Sequence, residues 1–187
     1  MAESAFLTNQ FLIAMPNLMD PNFFHSVTYI CQHNENGAMG IVINQPVTMT
    51  MADLIGQIGM ATEKSRELDT WIYRGGPVEM ERGFVLHQPL GQWESTLAVT
   101  EQIGVSTSND IVKSIAEGTG PDKYIVALGY AGWGAGQLEQ EIVDNAWLSG
   151  PADSRIIFDT AAEQRWEEAA KLLGVDIRQM TGDAGHA

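Results

Sequence analysis

The stretch VTYICQHNENGAMGIVIN, residues 27–44, decides the predicted fold. Residues 27–32 are rich in β-branched and aromatic side chains, which favour strands. Residues 34–37, Asn-Glu-Asn-Gly, have the composition of a tight turn, and a second apolar run follows at residues 40–44. We therefore predict an antiparallel β-hairpin over residues 27–44.

Similar short apolar runs elsewhere predict further strands, at residues 11–15, 71–73, 84–87, 96–99, 124–128 and 156–158. Apolar spacing on one helical face predicts helices, at residues 51–58, 109–117, 137–143 and 161–173. Capping sequences at Thr107 to Asp110 and at Thr160 to Glu163 mark the start of two of these helices.

The order of these elements predicts the fold class. Strands fill the first hundred residues and helices are interspersed later, which favours an α+β fold with a mixed, largely antiparallel sheet over an alternating parallel one. A chain of 187 residues suits one domain, so we assign residues 1–187 to it. We expect residues 1–10 and 180–187 to be flexible.

The charge balance limits the partners. The chain has 24 Asp and Glu against 10 Lys and Arg, a formal net charge of −14, and the bases do not cluster in any segment. Nucleic-acid binders neutralise phosphates with grouped cations, whereas an acidic chain repels them at long range. We therefore do not expect direct nucleic-acid binding.

The N-terminal region and the single cysteine indicate the compartment. The first basic residue is Lys64, so the positively charged start of a secretory signal and the arginines of a mitochondrial presequence are both missing. The early uncharged run is too short and polar to span a membrane. Cys31 has no cysteine partner. We expect a cytoplasmic protein without membrane contact.

Common catalytic sequences are missing. The chain contains no Gly-x-Ser-x-Gly, Walker A, His-Glu-x-x-His or Cys-x-x-Cys sequence. Its four histidines are His25, His33, His87 and His186. We expect no cofactor and no metal, and Cys31 is interpreted as a buried apolar residue and not a nucleophile.

The glycine-rich stretch 129–136 lies between a predicted strand and a predicted helix. A phosphate loop is one reading, because anions bind at helix N-termini. However, Gln137 and Glu139 occupy the positions of the third glycine, and Glu139 and Glu141 would repel a phosphate. We favour a tight turn where backbone passes close to backbone.

Two further stretches contain candidate site residues. His33, beside Asn34 and Glu35, could act in acid–base chemistry or bind a metal, or could simply end a strand at a turn. Arg82 could capture an anion, and His87 lies five residues further on. The structural alternative, which we favour, is that Arg82 pairs with an acid such as Glu79 and that His87 is hydrogen-bonded at a strand end.

Several of these stretches, taken in order, resemble the AlgH/YqgE family of bacterial proteins. They are FLIAMP (11–16), DPNF (20–23), HNE (33–35), GAMG (37–40), IN (43–44), GGPV (75–78), RGFVLH (82–87), STS (106–108), LGYAGW (128–133), GQLE (136–139), NAWL (145–148) and IFD (157–159). The resemblance implies a branched sheet curled into a pseudo-barrel with helices packed on it. It supplies no catalytic residues, and the family name marks a proposed role in regulating alginate synthesis genes.

We therefore favour a regulatory binding protein over an enzyme, and expect it to act through a protein or small-metabolite partner and to affect gene expression indirectly. The candidate ligand-binding residues are His33, Asn34, Glu35, Asn44, Arg82, His87, Tyr130 and Trp133. The alternative is an enzyme of unfamiliar class with a polar pocket around His33, Glu35, Arg82 and His87.

Overall fold

The computed structural model describes residues 6–15, 20, 23, 25–59, 68 and 70–174. The strands in these ranges are β1 (Gln10–Ala14), β2 (Val27–Asn34), β3 (Gly37–Val42), β4 (Pro46–Thr50), β5 (Trp71–Arg74), β6 (Val78–Gln88), β7 (Thr96–Ala98), β8 (Gly104–Ser106), β9 (Lys123–Gly134) and β10 (Trp147–Pro151). The helices are α1 (Met51–Gln57), α2 (Asn109–Glu117), α3 (Gln137–Val143), α4 (Ser154–Phe158) and α5 (Ala162–Leu172).

The long strand β9 organises the sheet. It pairs antiparallel with β6, parallel with β5 at residues 127–128, and antiparallel with β3 at residues 131–134. The sheet therefore branches at β9, and its main path runs β10-β1-β2-β3-β9-β6-β8-β7. This sheet curls into a half-barrel with helices packed on it, so the predicted α+β class and largely antiparallel, branched sheet are confirmed.

The predicted hairpin is present. Strands β2 and β3 pair antiparallel from Thr28 with Val42 to Asn34 with Gly37, and the register shifts between Ile30 and Gln32. Alternation along β2 sends Tyr29 and Cys31 into the interior of the curled sheet. It leaves Gln32 exposed on the opposite face, so the hairpin has one buried and one partly open side.

Apolar side chains pack on both faces of the sheet. The larger cluster lies within the curl and includes Phe11, Tyr29 and Leu86. A second cluster joins the other face to α2 through Ile111 and Ile115, the residues whose spacing predicted that helix. Burying both faces explains why the central strands are almost continuously apolar.

The prediction of a strand at residues 156–158 is wrong. These residues belong to α4, which begins where the Asp153 side chain accepts a hydrogen bond from the Arg155 backbone N–H. An Asp at the N-cap stabilises a helix start, and that local bond outweighs the β propensity of a short Ile-Ile-Phe run. The strand in this region is β10 instead, paired with β1.

Both predicted capping sequences are misplaced by one residue. Ser108 is the N-cap of α2, and Ala161 is the N-cap of α5 without a side-chain capping bond. Thr160 instead donates its hydroxyl hydrogen bond to the Arg155 carbonyl, and its own carbonyl accepts from Arg165. The Thr160 hydroxyl therefore caps the C-terminal end of α4 and does not cap the N-terminus of α5.

Part of the predicted N-terminal flexible segment lies against the sheet. Asn9 donates its backbone N–H to the Ile30 carbonyl, and its side chain accepts from the Tyr29 hydroxyl at 2.6 Å. Residues 1–5 and 180–187 lie outside the described residues, as does His186, so their expected flexibility stays a prediction. Of the helices described, none has the length and apolar character needed to cross a membrane.

Residues 129–134 of the glycine-rich stretch belong to β9, and only Ala135 and Gly136 form the predicted turn, before α3. Backbone does pass close to backbone in this stretch, as predicted. The chain at Gly76 crosses β9 so tightly that a Cβ on Gly76 would lie 2.1 Å from the Tyr130 carbonyl carbon. Gly129 has φ +79°, and a Cβ there would lie 2.4 Å from the Gly76 oxygen. Only residues without a side chain fit this crossing.

Replacing Gly76 by Ala is therefore expected to destabilise the protein by at least about 4 kcal/mol, because the new methyl would overlap the backbone of β9. Gly136→Ala is the matched control, since Gly136 also has positive φ (+74°) but open space where its Cβ would be. The control should lose only about 1–2 kcal/mol from backbone strain. Urea denaturation measures the free energy of unfolding of both variants. Equal losses in the two would contradict a close backbone contact at Gly76.

Candidate functional site

An open groove of about 610 Å³ lies where the sheet branches. The end of the β2–β3 hairpin forms one wall, β9 forms the floor and the start of β6 forms the other wall. Four of the eight predicted candidates line it: Asn34, Arg82, Tyr130 and Trp133. The structure thus brings half of the candidates to one surface.

An irregularity in β6 builds one wall of this groove. From Val78 to Gly83 strand β6 advances five residues while β9 advances only two, from Tyr130 to Leu128. The extra residues form a bulge, in which Glu79 adopts a positive φ of +48°. The bulge carries Glu79 and Arg82 to the rim of the groove.

Arg82 is held loosely in this wall. Its Nη1 donates to Glu79 Oε2 at 3.4 Å and its Nη2 donates to Thr107 Oγ1 at 3.4 Å. The guanidinium carbon also lies 5.6 Å from the centre of the Phe84 ring. The predicted pairing of Arg82 with Glu79 is present, but both side chains are about half exposed, 53% and 50%. An exposed pair of this length holds weakly.

At the opposite end of the groove, Trp133 is held by a hydrogen bond to α3. Glu141 Oε1 accepts hydrogen bonds from the indole N–H groups of Trp133 at 3.1 Å and Trp147 at 3.0 Å. Its other oxygen accepts from Gln137 at 2.9 Å. One carboxylate of α3 therefore fixes two tryptophans. Sequence reasoning missed Glu141 as a fixing residue, because both tryptophans are brought to it by folding.

His33 does not act with Glu35. The Leu7 backbone N–H donates to His33 Nδ1 at 2.9 Å, so in the neutral ring Nε2 carries the proton and donates to Glu139 Oε1, also at 2.9 Å. This hydrogen bond from His33 lowers the pKa of Glu139. His33 is buried, whereas Glu35 is exposed in the hairpin turn, so the acid–base pair suggested by their adjacency does not form.

His87 is also used inside the structure. It is fully buried, and its Nδ1–H donates to the Pro89 carbonyl at 2.9 Å. Its Nε2 therefore accepts from the Ser106 hydroxyl at 2.7 Å. Burial lowers the pKa of His87, and the hydrogen bond to Pro89 opposes that shift only in part. This is the satisfied strand-end histidine that the sequence favoured.

Asn44 joins the base of the hairpin to the chain before it. Its Oδ1 accepts from the Val27 backbone N–H and its Nδ2 donates to the His25 carbonyl, both at 2.9 Å. Cys31 is buried as expected, and burial raises the pKa of its thiol. Neither side chain lines the groove.

The polar pocket of the enzyme hypothesis is not assembled. Of His33, Glu35, Arg82 and His87, only Arg82 lines the groove, while the two imidazoles are buried and bonded to different partners. In the ranges that the structure describes, no three His, Cys, Asp or Glu side chains are grouped to hold a metal ion.

Known proteins match this chain over nearly its whole length. The family model described as DUF179, AlgH-like, matches residues 11–178. The chain belongs to the AlgH-like family. A UPF0301 protein of Thioalkalivibrio sulfidiphilus is 56% identical over 188 residues and one of Nitrosococcus oceani is 50% identical over 187, each covering all of both chains.

Solved structures agree with the fold of this AlgH-like protein. The solution structure of the AlgH protein from Pseudomonas aeruginosa has a TM-score of 0.81 and 47% identity, covering 100% of this chain and 99% of the other. The crystal structure of protein DIP2367 from Corynebacterium diphtheriae has a TM-score of 0.72, covering 91% and 89%. Its identity of 18% supports the fold alone.

The buried His87 predicts how stability depends on pH. Its pKa is lower in the folded state than the unfolded value of about 6.5, so the unfolded chain takes up a proton first as the pH falls. Its contribution is therefore full above about pH 6.5 and is lost as the pH falls towards the folded pKa. His25, whose pKa is also lowered by burial, acts in the same direction.

His87→Gln should reduce the pH dependence of the free energy of unfolding below about pH 6.5, by at most about 1.4 kcal/mol per pH unit. Urea denaturation of both proteins between about pH 7.5 and 5.5 measures it. The remaining slope should fall again in the double variant with His25→Gln. Parallel curves for wild type and His87→Gln would contradict the assignment.

Proposed function

We propose that this protein is a regulatory binding protein that recognises its partner in the groove at the sheet branch. The observation that carries the proposal is the gathering of Asn34, Arg82, Tyr130 and Trp133 along one open groove of about 610 Å³. Aromatic walls with a few convergent polar groups are typical of binding sites. The imidazoles that general acid–base chemistry would use are engaged in the interior.

The partner is a protein or a small metabolite, and the groove favours a protein. Its volume is in the range of small-molecule sites, but it lies largely open to solvent and does not enclose a ligand. An open surface between a loose arginine and fixed aromatic side chains suits an inserted segment of another protein.

The regulatory part of the proposal rests on the resemblance to the AlgH-like family, whose name marks a proposed role in regulating alginate synthesis genes. With a net charge of −14 this chain is poorly suited to bind DNA, so an effect on gene expression would be indirect, through a partner in the cytoplasm. The groove itself offers one cation, Arg82, which Glu79 already pairs.

Site-specific photocrosslinking in cells tests the protein-partner form. Benzoylphenylalanine replaces Gln32, an exposed residue of the groove, and, as a matched control, Gln164, an exposed residue of α5. We expect a discrete adduct from position 32 that position 164 does not give. The same adducts from both positions would contradict the groove as the binding surface.

A thermal-shift screen of metabolites tests the other form. A ligand at about 100 times its Kd stabilises the folded state by roughly 2.7 kcal/mol, and each kcal/mol raises Tm by about 2–4 °C in a protein of this size. A ligand that binds in the groove should no longer raise the Tm of the Tyr130→Ala variant. An unchanged rise in Tm would show that the ligand binds elsewhere. No groove-specific adduct and no groove-dependent ligand together would overturn the proposed function.

A further inference from the structure

We propose that the groove receives a basic peptide segment, with an Arg or Lys side chain placed between the Glu79 carboxylate and the aromatic rings of Phe84 and Tyr130. This inference rests on the proposed function and names the chemistry of its partner. It comes from three features of the groove: the charges around it, the way it already holds a guanidinium, and the polar groups along its length.

The elements that form and flank the groove are strongly acidic. The Glu79 carboxylate lines the groove, and the flanking elements carry Glu35 in the hairpin turn and Glu139 and Glu141 in α3. Against these, β6 contributes Arg82, and β9 contributes only Lys123, at its far end and paired with Asp159 at 2.6 Å. With a net charge of −14 over the whole chain, the local field attracts a cationic segment and repels an anionic one.

The groove already holds one guanidinium in the manner proposed for the partner. Arg82 is bonded to Glu79 at 3.4 Å and lies 5.6 Å from the centre of the Phe84 ring. The Tyr130 ring packs edge-to-face against Phe84 at 5.5 Å and extends the same aromatic wall along the groove. A cation gains from a carboxylate on one side and a ring face on the other.

The opposite wall suits a peptide backbone better than a lone cation. Gln32, Asn34 and Asn36 line it, and side-chain amides can both donate to and accept from peptide groups. These amides follow the end of the hairpin, while the carboxylate and the rings lie across the groove on β6 and β9. A ligand that uses both walls must span the groove, as an extended segment does.

Fluorescence anisotropy tests the inference with two labelled probes on the full-length protein. One is an octapeptide of alternating Arg and Ser, and the other is its counterpart of alternating Glu and Ser. At about 50 mM salt we expect the basic peptide to bind and the acidic one not to bind, with affinity falling as salt is raised. Glu79→Gln should weaken binding of the basic peptide roughly tenfold, because one hydrogen bond to a charged group is lost.

Glu101→Gln is the matched control, since it removes the same charge at an exposed position away from the groove. It should change the affinity less than about twofold, because a distant exposed charge is screened. Arg82→Gln should tighten binding of the basic peptide by removing the like charge. Backbone amide NMR shifts on adding the peptide should concentrate in residues 32–39, 78–84 and 130–133.

Other outcomes overturn the inference. If Glu79→Gln and Glu101→Gln weakened binding of the basic peptide equally, the peptide would be attracted to the acidic surface in general and not to the groove. No binding of the basic peptide at about 50 mM salt would also overturn it. Binding of the acidic peptide that is lost in Arg82→Gln would assign the groove to an anionic partner. Because photocrosslinking at position 32 does not depend on the charge of the partner, these failures are distinguishable from failure of the proposed function.

Discussion

The fold depends on one close packing of backbone against backbone, where the segment Gly75–Gly76 crosses β9 at Gly129 and Tyr130. A Cβ on Gly75 would lie 2.3 Å from the Gly129 oxygen, and the reciprocal overlaps at Gly76 and Gly129 are as severe. Gly75 also donates to the Leu128 carbonyl and accepts from Val42. The glycines thus let β5, β6 and the hairpin all join β9, which is the condition for a branched sheet.

The groove is a consequence of this branch. Strand β6 leaves the crossing with Val78 beside Tyr130, and its bulge then restores pairing at Gly83. Between these points the wall rises from the sheet and presents Glu79 and Arg82, while the hairpin closes the other side. A bulge that aims side chains away from a regular ladder is a common way of building a site on a sheet. Here the same irregularity supplies both the shape and the charges of the groove.

Whether a polar side chain is buried in the fold or lines the groove depends on the partner that folding brings to it. His33 lies next to Glu35 in sequence, yet its partner is Glu139, 106 residues away. His87 is bonded to Ser106 and buried, so a group that could titrate near neutral pH serves packing. The groove is lined instead by side-chain amides, aromatic rings and Arg82, whose two hydrogen bonds are long and exposed. The side chains suited to binding a partner are thus in the groove, whereas His33 and His87, which could act in acid–base chemistry, are buried.

Local periodicity, turn residues and ordered sequence blocks were enough to predict the hairpin, the α+β class, helices α1, α2, α3 and α5, and the family. The sequence also favoured the Arg82–Glu79 pair, three residues apart. Tertiary structure alone decided that Asn44 ties the hairpin base, that Glu139 bonds to His33, and that Glu141 fixes two tryptophans. The cap at Asp153 is local, but the strand prediction for residues 156–158 gave the apolar run more weight than the cap. Asn44 and Glu139, in contrast, bond to partners 17 and 106 residues away, and the bonds of Glu141 depend on how α3 packs against β9 and β10, so no local pattern encodes them.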